Sequence, residues 1–382
     1  MKVWQQLVGQ EPAVRILSAA AAGGAGMTHA WLFTGPPGSG RSVAARAFAA
    51  ALQCENGTGC GECTGCRTAM SGTHADVRVV EPEGLSISVA DMRALVQTAA
   101  RLPATGRWQV VIIADADRLT EGASNALLKA VEEPPKRTVF LLCAPSDHPE
   151  DVLVTIRSRC RLVQLRTPQP PAIAKVLIER DGVEQERALW AASVCGGHVG
   201  RARRLATDDA ARSRRADVLR IPVSLRRPDD VFAFADVLIT AAEADAVAES
   251  SVRDEAEETE LRVAMGGDGT GRGVAGAKRA ADAAVTQLKK RQKSRATRTQ
   301  RDTIDLALVD LAGFYRDVLV LSAGSTLTHP DHEEQIRSAA QRWTPAATLR
   351  RLEAVLACRE AMQLNVKPRI AVEAMVFALA EG

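Results

Sequence analysis

Aromatic side chains are scarce in this 382-residue sequence. Phe, Trp and Tyr together make up 3% of it, with a single tyrosine. A buried core must therefore be assembled from Ala, Leu, Val and Ile, which favours helix-rich packing. An excess of one charge is also missing. The 49 Lys and Arg face 46 Asp and Glu, for a net charge of +3. That balance excludes a nucleic-acid binder that works through bulk charge, so any DNA contact has to be local or supplied by partners. No window approaches 18 uninterrupted apolar residues, and no membrane span is expected. Met1-Lys2 runs into an amphipathic stretch from Val3 to Leu17, without the apolar segment and cleavage site of a secretory signal. A cytoplasmic protein is expected. Its eight cysteines should then be mostly reduced, and a cysteine cluster reads as a metal site before it reads as disulfides.

What is present is enough apolar material, 46% of the residues, for two or three folded domains. Up to about residue 165, strand-like and helix-like signals alternate. Ala30 to Thr34, Val77 to Val80, Trp108 to Ile113 and Val139 to Cys143 read as strands. Ser42 to Leu52 and Ala123 to Val131 read as helices. Strands apolar on both faces and separated by helices predict a parallel sheet covered on both sides, an α/β domain. The proline-rich segment Thr167-Pro168-Gln169-Pro170-Pro171 reads as a boundary. The expected domains are 1–167, a small helical unit over 168–209, and an all-α region over 210–382 with a charged insertion at about 250–300. In that insertion, Asp254 to Glu260 is acidic, Gly266 to Gly276 reads as a flexible loop, and Lys289 to Arg301 is basic. The expected role of the two charged runs is mutual pairing on solvated helix faces, with a DNA or phosphate contact as the sharper alternative.

Gly35-Pro36-Pro37-Gly38-Ser39-Gly40-Arg41-Ser42 has the spacing of a phosphate-binding loop between a strand and a helix. Gly35, Gly38 and Gly40 let backbone N–H groups curl around phosphates, and the following helix N-terminus adds its positive end. Arg41 stands where such loops place the lysine that reaches the β and γ phosphates, and a planar guanidinium is not an equivalent point donor. A second apolar strand ends at Ala114-Asp115-Ala116-Asp117. Asp115 is placed to hold Mg²⁺, but Ala116 stands where a water-activating glutamate is needed. Hydrolysis at this chain's own loop is not expected, and residual ATP and Mg²⁺ binding stays open. Cys54, Cys60, Cys63 and Cys66 follow a Cx5Cx2Cx2C spacing. Four thiolates at that spacing, with glycines to turn the chain, suit a closed structural Zn²⁺ site. An iron–sulfur centre is the rival reading. Cys143, Cys195 and Cys358 read as small core residues.

With these residues in hand, the chain resembles the delta-prime subunits of the bacterial DNA polymerase III clamp loader. The resemblance is close over roughly residues 1–205. It is carried by Val8-Gly9-Gln10, the GPPGSGRS loop, the four cysteines, the segment Ser124 to Pro135 (SNALLKAVEEPP), Ser158-Arg159-Cys160, and Asn365 to Glu373 near the end. It implies an AAA+ module, a helical lid and a helical collar that packs a hetero-pentameric ring. It implies gamma/tau-type motor and delta-type subunits as partners, with the sliding β clamp and primed DNA reached through the complex. It also implies that the four cysteines bind zinc, that Arg201 occupies the lid's nucleotide-sensor position, and that Arg159 is an arginine finger serving a neighbour's ATP. The leading expectation is a non-motor stator in DNA replication. Its collar would oligomerise through an inward-facing stripe such as Ile304, Leu308, Leu311 and Val318. Two rival classes are an active DNA-stimulated ATPase, with Arg41 and Asp117 replacing the usual lysine and base, and a standalone zinc-dependent DNA-binding protein.

Overall fold

In a computed structural model, which describes residues 2–24, 26–82, 84–225, 230–264, 274–364 and 366–381, the chain divides into two units, Met1–Thr207 and Asp208–Gly382. The apolar runs of the first unit become strands β1 (Ala30–Thr34), β2 (Val77–Val80), β3 (Gln109–Ile113) and β4 (Thr138–Ala144), joined by β5 (Arg161–Gln164). They form one sheet in the order β2-β3-β4-β1-β5, with every pairing parallel. Every residue of β1, β3 and β4 is buried, because both faces of the sheet are covered. Strand side chains alternate between the faces. Val139, Leu141 and Cys143 of β4 enter one core layer with Phe33 and Phe48, while Phe140, Leu142 and Ala144 enter the other with Leu127 and Ile113. The rare aromatics are used deep inside, where the Trp31 ring meets Phe48 edge-on at 4.9 Å.

Parallel strands need crossover connections, and helices supply them. α1 (Glu11–Ala21) precedes the sheet. α2 (Arg41–Leu52), α3 (Thr64–Ser71), α4 (Val89–Ala99), α5 (Glu121–Glu132) and the single turn α6 (Val154–Arg157) lie between strands. Ser88 and Thr120 begin α4 and α5 by accepting the amide hydrogens of Asp91 and Ala123. β1 lies inside the sheet with β4 and β5 as neighbours, so the loop after it opens at the strands' C-terminal ends, where open α/β sheets bind ligands. This is the parallel α/β sheet, with a glycine loop after its first strand, that the sequence predicts. Pro170 and Pro171 open α7 (Pro170–Asp181), a placement that costs no helical hydrogen bond. α8 (Gln185–Val194) and α9 (Val199–Thr207) complete the three-helix group of this unit.

The second unit is helical among its described residues: α10 (Asp209–Ser224), α11 (Val231–Ala264), α12 (Val274–Val320), α13 (Glu333–Arg342), α14 (Pro345–Gln363) and α15 (Pro368–Glu381), with short 3-10 turns. α11 and α12 run antiparallel. Arg295 of α12 bonds Glu257 at 2.8 Å and also Asp254, and Lys289 meets Glu258 at 3.3 Å. The acidic and basic runs therefore pair with each other, as the bland sequence reading expected. Of the glycine-rich stretch read as a loop, residues 266–273 lie outside the described residues and residues 274–276 open α12. One expectation is corrected. Ile304, Leu308, Leu311 and Val318 do not form a stripe for oligomerisation; all four are buried in this unit's own core beside Leu219, Val355 and Val376. A seven-residue apolar spacing is needed equally by a helix inside its own domain, so the pattern alone cannot distinguish the two. Among the described residues, no helix is long and apolar enough to cross a membrane.

Candidate functional site

The loop between β1 and α2 has the backbone of an anion cradle. Gly38 and Gly40 take φ values of +86° and +89°, in the left-handed region, and Gly40 forms the cap from which α2 starts. The buried Gln10 fixes the loop from outside. Its Nε2 donates to the carbonyls of Ser39 (3.1 Å) and Arg166 (2.6 Å), and its Oε1 accepts from Arg166 N–H (3.1 Å). The Ser39 hydroxyl is buried and has no hydrogen-bond partner among the described residues. Ser42 is exposed in the first turn of α2. Arg41 does not reach outward. Its Nη1 donates to the carbonyl of Gly35 at 2.9 Å, inside the same loop. The glycine geometry thus suits phosphate, while one donor of the cation that should meet it is engaged with the loop itself.

Asp115 follows β3 at the same end of the sheet, just before a short 3-10 turn over Ala116–Arg118. Ala116 is 4% exposed and belongs to the core layer of Leu127 and Leu142, so no water-activating group exists there. Asp117 meets Arg118 Nε at 3.4 Å. Burial, reinforced by Asp115, raises its pKa above the usual carboxylate range. A cavity of about 200 Å³ lies beside it, lined in part by Glu121, Ser124, Asp151 and Ile156.

The helical group reaches the loop through a residue the sequence reading missed. A Cβ added to Gly38 would lie 2.8 Å from the Cα of His198, so only glycine permits this approach. The His198 Nδ1 accepts the Arg201 backbone N–H at 3.1 Å and so caps α9. Burial and the charge of Arg201 depress the imidazole's pKa. Arg201 is three residues along the same helix. The signal for His198 was the preceding pair Gly196-Gly197, both at positive φ, which turns the chain back on the loop.

Cys54, Cys60, Cys63 and Cys66 come together at the end of α2 and the start of α3. Their sulfurs all lie within 4.8 Å of one another, and three pairs stand at 3.7, 3.9 and 4.0 Å. Four sulfurs about 2.3 Å from one tetrahedral ion would be about 3.8 Å apart, so the set fits Zn²⁺. Backbone N–H groups point at the sulfurs. Cys60 N–H donates to Cys54 Sγ at 3.5 Å, Cys63 N–H to Cys60 Sγ at 3.5 Å, and Cys66 N–H to Cys63 Sγ at 3.4 Å. Burial opposes ionisation of Cys54, but amide donors from Cys60, Asn56 and Thr58 outweigh it and bring the thiol down to about 6. The amides of Cys63 and Glu62 lower Cys60, while burial pushes Cys66 up. The module is locked to the domain. Val3 N–H donates to Gly59 O at 3.0 Å, and the Trp4 indole to Thr58 O at 3.0 Å. The remaining cysteines read as core, Cys143, Cys195 and Cys358, are indeed buried.

Arg157 and Arg159 flank Ser158 at the end of α6. Arg157 makes a two-pronged ion pair with Asp147 (2.8 and 2.6 Å). Arg159 is exposed and meets Glu132 Oε1 at 2.8 Å.

Residues 9–169 match the family described as DNA polymerase III, delta subunit. The DNA polymerase III subunit delta' of Bacillus subtilis is 35% identical over 197 residues, covering 51% of this chain and 59% of that protein. The delta' subunit of Pseudomonas aeruginosa is 40% identical over 153 residues, covering 39% of this chain and 45% of that protein. The DNA polymerase III subunit gamma/tau of Mycobacterium tuberculosis is 35% identical over 192 residues, covering 48% of this chain and 33% of that protein. The chain therefore spans between a third and three fifths of the length of these curated relatives. Residues 9–169 all fall in the first unit, where the glycine loop, the cysteine module, Arg157 and Arg159 also lie. Over those residues the chain is similar to the delta' subunits of bacterial DNA polymerase III.

Proposed function

We propose that this chain is a non-motor subunit of a DNA polymerase III clamp loader, a stator that completes a neighbour's ATP site with Arg159. In this reading residues 1–167 form the AAA+ domain, 168–209 the lid and 210–382 the collar of a hetero-pentameric ring with gamma/tau-type motor and delta-type subunits. The ring loads the sliding β clamp on primed DNA. A Zn²⁺ held by Cys54, Cys60, Cys63 and Cys66 is structural, because four thiolates leave it no open position. Bound ATP in the degenerate loop would face Gly35, Gly38, Gly40, Arg41 and Ser42, with Asp115 toward its metal and Arg201 toward its phosphates.

The observation that carries the reading is the contrast between two arginines. Arg41, in the chain's own loop, turns back on Gly35, while Arg159, paired with Glu132, stays about 40% exposed at the surface. A guanidinium offered across a subunit boundary stabilises charge developing on a transferring phosphoryl group and contributes on the order of a thousandfold in rate. The test is Arg159→Ala in the reconstituted complex. The ring assembles, DNA-stimulated turnover loses the contribution of one ATP site, and clamp loading slows. Unchanged turnover and loading would count against the role.

A second reading has a specific support, the similarity to gamma/tau subunits. A motor subunit binds ATP tightly and turns it over alone. Calorimetric titration of the isolated chain with ATP, followed by a phosphate-release assay, separates the two readings.

A further inference from the structure

The two most distinctive motifs of the first unit meet in one ion pair, and that pair assigns a role the proposed function does not contain. Glu132 belongs to SNALLKAVEEPP and ends α5, and Arg159 belongs to Ser158-Arg159-Cys160. Their side chains meet at 2.8 Å, each about 40% exposed. An acid in the last turn of a helix is in the wrong place for the macrodipole, since that end carries partial negative charge. Glu133, the next residue, adds a second acid there. A local choice that opposes its own helix is expected where a site requires it, and the cation that Glu132 meets is Arg159.

The geometry around the guanidinium shows what the pairing does. Arg159 Nη1 donates to the Thr155 carbonyl at 2.9 Å and to Ser158 Oγ at 3.2 Å, while Nη2 serves Glu132. An arginine has five N–H donors. Three contacts hold the group from two sides, and two donors, Nε–H and one Nη2–H, are left over among these contacts. A flexible side chain near a subunit edge loses rotamer freedom when it engages phosphate. One already held by its own fold loses less.

We propose that Glu132 is the positioning residue of Arg159: it orients the guanidinium so that the two remaining donors are presented to an anion on the neighbouring subunit. This rests on the reading of Arg159 as a finger in trans. The carboxylate touches neither nucleotide nor metal and acts only through Arg159. An exposed ion pair is worth up to about 1 kcal/mol, so its loss corresponds to roughly a fivefold effect.

The experiment uses the full chain reconstituted with its motor partners. Glu132→Gln lowers DNA-stimulated kcat by about three- to fivefold at the site Arg159 serves, with KM for ATP and ring assembly unchanged. Glu132→Asp recovers part of the loss. Glu133→Gln, at the same helix end, behaves as wild type and controls for charge alone. The double variant Glu132→Gln with Arg159→Ala is no slower than Arg159→Ala by itself, a coupling that a merely structural carboxylate would not show. If Arg159→Ala slows turnover while Glu132→Gln does not, or accelerates it, the positioning role is overturned and the finger stands. If Arg159→Ala itself has no effect, both are overturned. If Glu132→Gln lowers ring assembly or melting temperature along with kcat, and Glu132→Asp does not recover kcat, the residue is structural and the inference is overturned.

Discussion

The Arg41 guanidinium donates to the carbonyl of Gly35, six residues earlier in the same loop, at 2.9 Å. A phosphate cradle works by presenting N–H groups and a cation to an anion, and here one donor of the cation is already engaged. The backbone around it nonetheless keeps the left-handed glycines at 38 and 40 that a cradle needs. Cation identity and catalytic carboxylate therefore separate experimentally. Arg41→Lys is expected to tighten ATP binding at least about tenfold, equivalent to 1.4 kcal/mol, without producing turnover, because Ala116 offers no base. Arg41→Lys with Ala116→Glu would have to fit a carboxylate at a position 4% exposed. Turnover by that pair is expected only if the glutamate swings out of the core, and a lowered melting temperature is the readout of its failure to do so.

The cysteine module makes a prediction about both metal and stability. The purified chain should carry one zinc per chain by elemental analysis and show no visible absorption band of an iron–sulfur cluster. Cys60→Ser, or prolonged chelation, removes one corner of the sulfur set and frees the loop that Val3 and Trp4 anchor. A loss of about 3 kcal/mol of metal-linked folding energy would lower the melting temperature by roughly 10 °C. An unchanged melting temperature on chelation, with zinc shown to have left, would reject the structural role.

The second unit holds a buried polar cluster whose pH response has a definite sign. Arg215 pairs with Asp331 at 2.6 Å and donates to His329 Nδ1 at 2.9 Å, and His329 Nε2 lies 3.0 Å from the Asp310 carbonyl. Nδ1 therefore accepts and Nε2 donates, so His329 is neutral. Asp317 accepts the amides of Thr328 and His329. Burial, aided by Arg215, holds the His329 pKa below its ordinary value although Asp310 and Asp317 oppose this. The unfolded chain then binds a proton that the folded chain refuses. Stability falls as pH drops through the ordinary histidine range near 6.5, and the fall ends below the folded pKa. Asp331 behaves oppositely to an ordinary buried acid. Burial would raise it, but His332 and Arg215 hold it well below the carboxylate range, so its contribution is lost only at lower pH. His329→Gln, which keeps a donor and an acceptor, should make the fall in melting temperature between pH 7.5 and 5.5 shallower, with His198, also held below its ordinary pKa, accounting for part of what remains. An equally steep wild-type and variant profile would show that the sensitivity resides elsewhere.

The sequence by itself determined the parts that depend on neighbours along the chain. Four strands and two helices, read as Ser42–Leu52 and Ala123–Val131 and found as Arg41–Leu52 and Glu121–Glu132, were legible because a strand buried on both faces must be apolar throughout and an alanine-rich run favours helix. The glycine loop and the sulfur set were legible because turn chemistry and ligand spacing are local. β5 escaped because only Val163 of its four residues, Arg161 to Gln164, is buried, so it lacks a continuous apolar run, and it lies at the sheet's edge. Tertiary structure alone decided what depends on groups distant in sequence. It brought His198 onto Gly38, joined Glu132 to Arg159, and closed Arg215, Asp310 and His329 into one network. It also assigned the stripe from Ile304 to Val318 to the unit's own core. Hydrophobic spacing says only that a helix has a face to bury. What covers that face, and which charges meet across a hundred residues, is settled by packing and desolvation once the chain has folded.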